Sequence, residues 1–286
     1  MRATALTSRR FKKDAVLAVF GGSALVCIGV VFVAIVGEML WQGLTSLSWT
    51  YLVSAPSESG RGGGIGPIIV STAAIVGISM AVTVPLGLAT AIFLSELPRQ
   101  HPRLARVLRQ CIDVLAATPS IVIGLFGSVF FAVTLGFGLS ILSGGLTLAC
   151  MALPLFVRVA EAGLRTVPGN YRQAARALNL SWTGTLVHIV IPAALPTIGA
   201  GLALAIGRAA AETAALIFTS GYVDRMPSSW FDSGRALSVH IYDLAMNVPG
   251  GDQRAFAAAL VLLLLVFIIN LVAAATLTRL FGQAGK

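Results

Sequence analysis

The chain has 286 residues, 57 % of them hydrophobic and 11 % charged, with a mean hydropathy of +0.89. A soluble domain carries roughly 25 % charged residues, so this composition excludes one and indicates an integral membrane protein. The net charge of +9 would suit nucleic acid, but the cations are distributed by membrane side, which excludes that reading.

Residues 1–14 form a basic tail with Arg2, Arg9, Arg10, Lys12 and Lys13. The stretch "SRRFKK", Ser8 to Lys13, is similar to a twin-arginine or secretory leader, but no small-x-small cleavage site closes the apolar run that follows. A retained first transmembrane helix over 15–41 is expected. An outside loop, 42–67, holds the glycine cluster "GRGGGIGP". It lacks the lysine of a phosphate-cradling G-x-x-x-x-G-K-[ST] loop and reads as a flexible turn. With no such motif anywhere in the chain, any ATP must be hydrolysed by another chain. Residues 68–281 form the rest of the membrane unit, with apolar runs at 68–94, 114–137, 140–159, 195–220 and 255–278. Each can cross a hydrocarbon core of about 30 Å as a helix. The fold class is therefore all-α integral membrane, with six transmembrane helices, an outside loop at 221–254 and a short end at 282–286.

Of the 20 Lys and Arg, 15 lie in the tail, the second-to-third loop, the fourth-to-fifth loop with its flank, and the C-terminal end, against four outside. Both termini are then expected in the cytoplasm. Cys27, Cys111 and Cys150 are scattered in or beside the spans and read as small buried apolar residues rather than a disulfide or metal set.

Pro85, Pro154 and "ATPSIVIGLFG" at Ala117 to Gly127 should kink or break their helices. For Thr118 and Ser120, hydroxyls flanking Pro119, a pathway-lining role is expected, since freed backbone groups in a membrane must face protein or a wet cavity. The segment 161–192 is too polar to span. Tyr171, Ala174, Ala175 and Leu178 can share one helical face. Asn179 suits a left-handed turn, and Ser181 suits the cap of a second short helix through His188. A cytoplasmic helix, turn and helix is a docking element.

"GRAAAETAAL", Gly207 to Leu216, places Arg208 and Glu212 four residues apart in an apolar stretch. A charge near mid-bilayer costs about 2.5–3.5 kcal/mol on insertion scales, so both should face the bundle interior, paired or hydrated. The arginine fork suits an oxyanion. Glu212 would neutralise and orient Arg208 or take a proton from the cargo, and Thr213 and Thr219 would add hydroxyl donors. A purely structural ion pair is the competing reading.

An intramembrane enzyme lacks support, because His101, His188 and His240 fall in loops and Lys12, Lys13 and Lys286 near the ends. A self-contained secondary transporter leaves the docking element unexplained and shows no inverted repeat.

The docking segment resembles the EAA loop of bacterial ABC importer permeases: Gln173, Ala174 and Ala175, then Asn179, then Ile189, Ile191 and Pro192, with every spacing kept. Gln173 stands for Glu, Asn179 for Gly and Ile191 for Leu. The stretches 63–96, "TPSIVIGLFG", "GRAAAETAALIFTSG" and "ALSVHIYDLAMNVPGG" are similar to the phosphate-specific (Pst) importer, A-type (PstA-like) subunit. This resemblance implies the type I (MetI-like) permease fold with a five-helix core and import of inorganic phosphate across the bacterial inner membrane. It implies a C-type permease partner, two copies of a cytoplasmic ATPase that uses ATP and Mg, an external phosphate-binding protein, and no cofactor on this chain. Arg208, Glu212, Thr213, Thr118 and Ser120 become candidate pathway residues. Tyr171, Gln173, Ala174, Ala175, Leu178, Asn179, Ile189 and Pro192 become candidate ATPase contacts. Sulfate, molybdate or phosphonate remain alternative cargoes.

Overall fold

The computed structural model describes residues 2–97 and 100–281, with side chains from 19 to 275. The end segment 282–286 and the tail's side chains lie outside the described residues. Among these, five stretches are helical, long and apolar enough to cross a bilayer. They are Val19–Ser46 within α1 (Arg2–Ser46), α3 (Gly66–Glu96), α6 (Ile141–Thr166), Trp182–Ala211, and Asp252–Ala275 within α12 (Asp252–Phe281). A bent pair, α4 (Pro102–Ala117) followed by α5 (Ser120–Gly127) and a π-helical turn at Ser128–Thr134, with 103° between its halves, makes a sixth when the two halves are counted as one span.

Pro119 explains that bend. Thr118 turns to an extended backbone and Pro119, unable to donate, starts α5 by accepting from Val122 and Ile123. Pro85 and Pro154 instead sit inside the unbroken α3 and α6. Each forfeits one hydrogen bond, which close packing between these two helices offsets. Gly87 lies under Phe156 and Gly145 under Ile78, where an added Cβ would stand 2.5 Å and 2.6 Å from those side chains. Phe156, Ala152, Ala160 and Leu164 are essentially inaccessible there and form the main core with Ala91 and Leu94 of α3 and Ala194 and Ala205 further along the chain. Cys27 and Cys111, expected inside, are exposed, and Cys150 is half-buried. Apolar residues of a membrane helix can face lipid or another chain as well as their own core.

The glycine cluster folds into a specific turn. The short helix α2 (Trp49–Val53) leads into a two-residue hairpin, β1 (Pro56–Ser57) against β2 (Gly62–Gly63). Gly63 has φ +66°, and a Cβ there would lie 2.2 Å from the Ala55 carbonyl oxygen. At Gly64 it would lie 2.2 Å from that of Tyr51. Because both neighbours are backbone, Gly64→Ala is expected to destabilise the protein by about 1–3 kcal/mol, read as a lower unfolding temperature in detergent.

Candidate functional site

The Trp182–Ala211 span consists of α8 (Trp182–Thr185), a π-helical turn at Leu186–Val190, and α9 (Ile191–Ala211). The second docking helix is therefore not a separate unit but the start of this span. α9 ends at Ala211, before the expected charged pair is complete. Glu212 caps it in an extended conformation, φ −74° and ψ 128°, and the chain re-enters a helix only at α10 (Ala214–Ile217). The i, i+4 relation between Arg208 and Glu212 does not form, and among the described residues no ion pair involves either.

Glu212 is tied elsewhere. Its carbonyl accepts from Ser238 Oγ at 2.6 Å, and Oε1 accepts the Ala215 N–H at 3.5 Å, at the start of α10. The carboxylate thus serves a backbone donor that the break would otherwise leave open. Arg208, by contrast, is exposed on the chain's own surface, not turned to its interior. It lies in a stripe of exposed, mostly small residues along α9, after Ala193, Pro196, Ala200 and Leu204 and before Ala211. Thr213 is half-buried. Thr219 is fully buried and donates to the Ala215 carbonyl at 2.8 Å, so it is not an available donor for a cargo.

The two broken spans meet. α5, which begins just after Pro119, packs on α10, which begins just after Glu212; a Cβ on Gly124 would lie 2.7 Å from Ala215 Cα. Thr118 and Ser120 are half-buried at the first break. The Thr118 hydroxyl donates back to the Val114 carbonyl at 2.8 Å, which leaves its oxygen as an acceptor.

The docking helix is α7 (Gly169–Ala177). Asn179 follows with φ +55°, the left-handed turn expected of it. Ser181 Oγ accepts from Gly184 N at 3.1 Å and caps α8 as expected. Tyr171, Gln173, Ala174, Leu178 and Asn179 are exposed, while Ile189 and Pro192 are half-buried. Ala175 departs from the expected face. It is 1 % exposed and packs inward, so the outward stripe is Tyr171, Ala174 and Leu178.

Sequence reasoning missed what anchors this helix. Arg172 forms a two-bond pair with Glu96, the last residue of α3, at 3.1 Å and 2.5 Å. Glu161 receives Arg109 at 3.1 Å and Arg165 at 2.7 Å, and both arginines also donate to the Leu94 carbonyl at 3.2 Å. Glu96 and Glu161 are acidic residues in arginine-rich surroundings. Their place among arginines is the signal the sequence carries for this joint.

The segment 221–254 is not a simple loop. Its middle folds back, with Ile141 N donating to Asp232 O at 2.9 Å, and α11 (Leu237–Met246) buries Leu237, Val239 and Leu244 against its neighbours. Asp232 accepts from Ser228 and Ser229, which holds its carboxyl below the usual range. His240 is wholly buried beside Gly60, with no partner for Nε2. Burial, then the Arg235 guanidinium 3.5 Å from Nδ1, pull its pKa from 6.5 to about 4, against the opposing pull of Asp243 and Asp224. Between those two values the unfolded chain binds a proton that the folded chain refuses. Stability should therefore be whole above pH 6.5, fall as the pH drops towards 4, and lose no more below it. The loss should reach about 3 kcal/mol at most. Unfolding temperature followed from pH 7 to 4 should show this slope, and His240→Gln should flatten it.

The model of the family "Binding-protein-dependent transport system inner membrane component" matches residues 83–281. The chain belongs to this family. It is therefore an inner-membrane permease component of an ABC-type importer. It is 34 % identical over 275 residues to the phosphate transport system permease protein PstA 1 of Mycobacterium tuberculosis, covering 94 % of this chain and 90 % of that one. It is 31 % identical to the probable ABC transporter permease protein YqgI of Bacillus subtilis, covering 93 % and 95 %. Among solved structures it shares the fold of a bacterial ABC transporter involved in alginate import, with TM-score 0.63 at 13 % identity over 94 % of this chain and 99 % of that one. The inward-facing MetNI methionine transporter aligns with TM-score 0.56 at 15 % identity, covering 76 % and 94 %. The MetI-like fold expected from the resemblance is thus the one found.

Proposed function

We propose that this permease carries inorganic phosphate inward across the bacterial inner membrane, pairing with a second, C-type permease, two copies of a cytoplasmic ATPase and an external phosphate-binding protein. The observation that carries the reading is Arg208. A permanent cation exposed on an apolar helix is too costly to leave against lipid, so the stripe that contains it faces another protein or water. The small residues of that stripe allow a second helix to approach closely. A guanidinium at the seam between two permeases would then meet an oxyanion in transit, and the likeness to phosphate permeases makes phosphate the favoured one. Glu212, with its carboxylate on α10, shapes the break and leaves Arg208 its charge.

Thr213 at that break, and Ser120 with the acceptor oxygen of Thr118 at the other, are positioned to line the same passage. On the cytoplasmic side Tyr171, Ala174 and Leu178 present the face that docks on the ATPase. Gln173 is exposed beside that face, Asn179, Ile189 and Pro192 shape the chain that leads from it into the next span, and Ala175 holds it to the permease. The ATPase, not this chain, uses ATP and Mg. Both termini lie in the cytoplasm under this reading, which places α7 there too. Sulfate is the principal rival cargo, because a guanidinium reads charge and geometry rather than the central atom. Affinity purification of the tagged chain from its own cells should bring down a second permease and an ATPase; recovery of the chain alone from a mild detergent would overturn the assembly.

A further inference from the structure

Resting on the coupling role just proposed for α7, we infer that Arg172 and Glu96 form a positioning strut that makes the docking helix and the end of α3 move as one body. Covalently, α7 is held at Val167–Pro168 on one side and at the left-handed Asn179 on the other. Both are hinge-like connections about which a short helix could pivot without moving a span. The side chains remove that freedom. Arg172 Nε donates to Glu96 Oε2 at 3.1 Å and Nη2 to Oε1 at 2.5 Å, the parallel two-bond geometry that fixes orientation as well as distance. Its remaining donors reach the Val167 carbonyl at 2.9 Å and the Leu164 carbonyl at 3.1 Å, which ties the C-terminal end of α6 into the same joint.

The two side chains are 24 % and 12 % exposed, so solvent screens the pair weakly. Two residues earlier, the Leu94 carbonyl takes Arg109 and Arg165, both held by Glu161, so the end of α3 is gripped twice. α3 packs along α6 through the tight Gly87 and Gly145 contacts, which gives a push on α7 a stiff path into the core.

The test uses the assembled complex in vesicles. Glu96→Gln and Arg172→Gln should retain the ATPase and its hydrolysis, while phosphate carried per ATP falls roughly tenfold or more. The exchanged pair, Glu96→Arg with Arg172→Glu, should recover part of it. Unchanged carriage per ATP in both single variants, or loss of the ATPase from Glu96→Gln, overturns the strut. A second readout needs no cargo. In a cysteine-free background, spin labels at Asn170 and Ala89 should give one narrow distance with and without ATP, broadened by Arg172→Gln. A distance that changes with ATP in the parent, or stays narrow in Arg172→Gln, also overturns it. A parent complex that hydrolyses ATP without carrying phosphate defeats the proposed cargo and leaves this second readout to judge the strut.

Discussion

Arg208→Gln is expected to lower phosphate uptake by roughly a hundredfold, the loss of charge-assisted hydrogen bonds from the guanidinium to the passing anion, while protein level and subunit assembly stay unchanged. Arg208 has no ion-pair partner among the described residues, so removing it strands no buried carboxylate. It is exposed on the isolated chain, so no core packing is lost either. A structural role would show as reduced assembly, and a pathway role as reduced transport alone. Arg208→Lys should fall between, because a lysine keeps the charge and loses the fork. Uptake by Arg208→Gln at the parent rate would remove the arginine from the pathway.

The second large effect separates two neighbouring alanines. Ala174→Asp places a carboxylate on the exposed docking stripe between Tyr171 and Leu178, where a dry interface would strip its water without supplying a partner. The ATPase should be lost on co-purification while the permease accumulates normally. Ala175 is 1 % exposed inside the chain. Ala175→Asp buries an unpaired charge in the permease itself and should lower its level in the membrane whether or not the ATPase is present. If both variants keep the ATPase, the docking face is misplaced.

Much of this architecture was legible because the bilayer constrains it strongly. Apolar length matches the long helices at the runs 15–41, 68–94, 140–159 and 255–278, whereas the runs 114–137 and 195–220 each straddle a break; Pro119 marked the first of these since proline cannot complete the helical ladder. Asn179 and Ser181 carried local signals, a tolerated left-handed turn and a cap, that need no tertiary context. The break at Glu212 had no such signal. Nothing in "RAAAET" opposes a helix, and the helix stops where the Glu212 carbonyl takes Ser238 from α11, a contact between residues far apart in sequence. The expected Arg208–Glu212 pair failed for that reason. Ala175 was misplaced because helical spacing says which residues share a face, not where the face is divided between the chain's own core and its surroundings. Pro85 and Pro154 show the converse, helix breakers overruled by the packing of α3 on α6.

The most direct test is uptake of labelled phosphate into vesicles holding the complete complex, with ATP on the ATPase side and binding protein on the other. The account predicts ATP-dependent accumulation that excess unlabelled phosphate suppresses and excess sulfate leaves intact. Accumulation suppressed equally by sulfate, or independent of ATP, would contradict it.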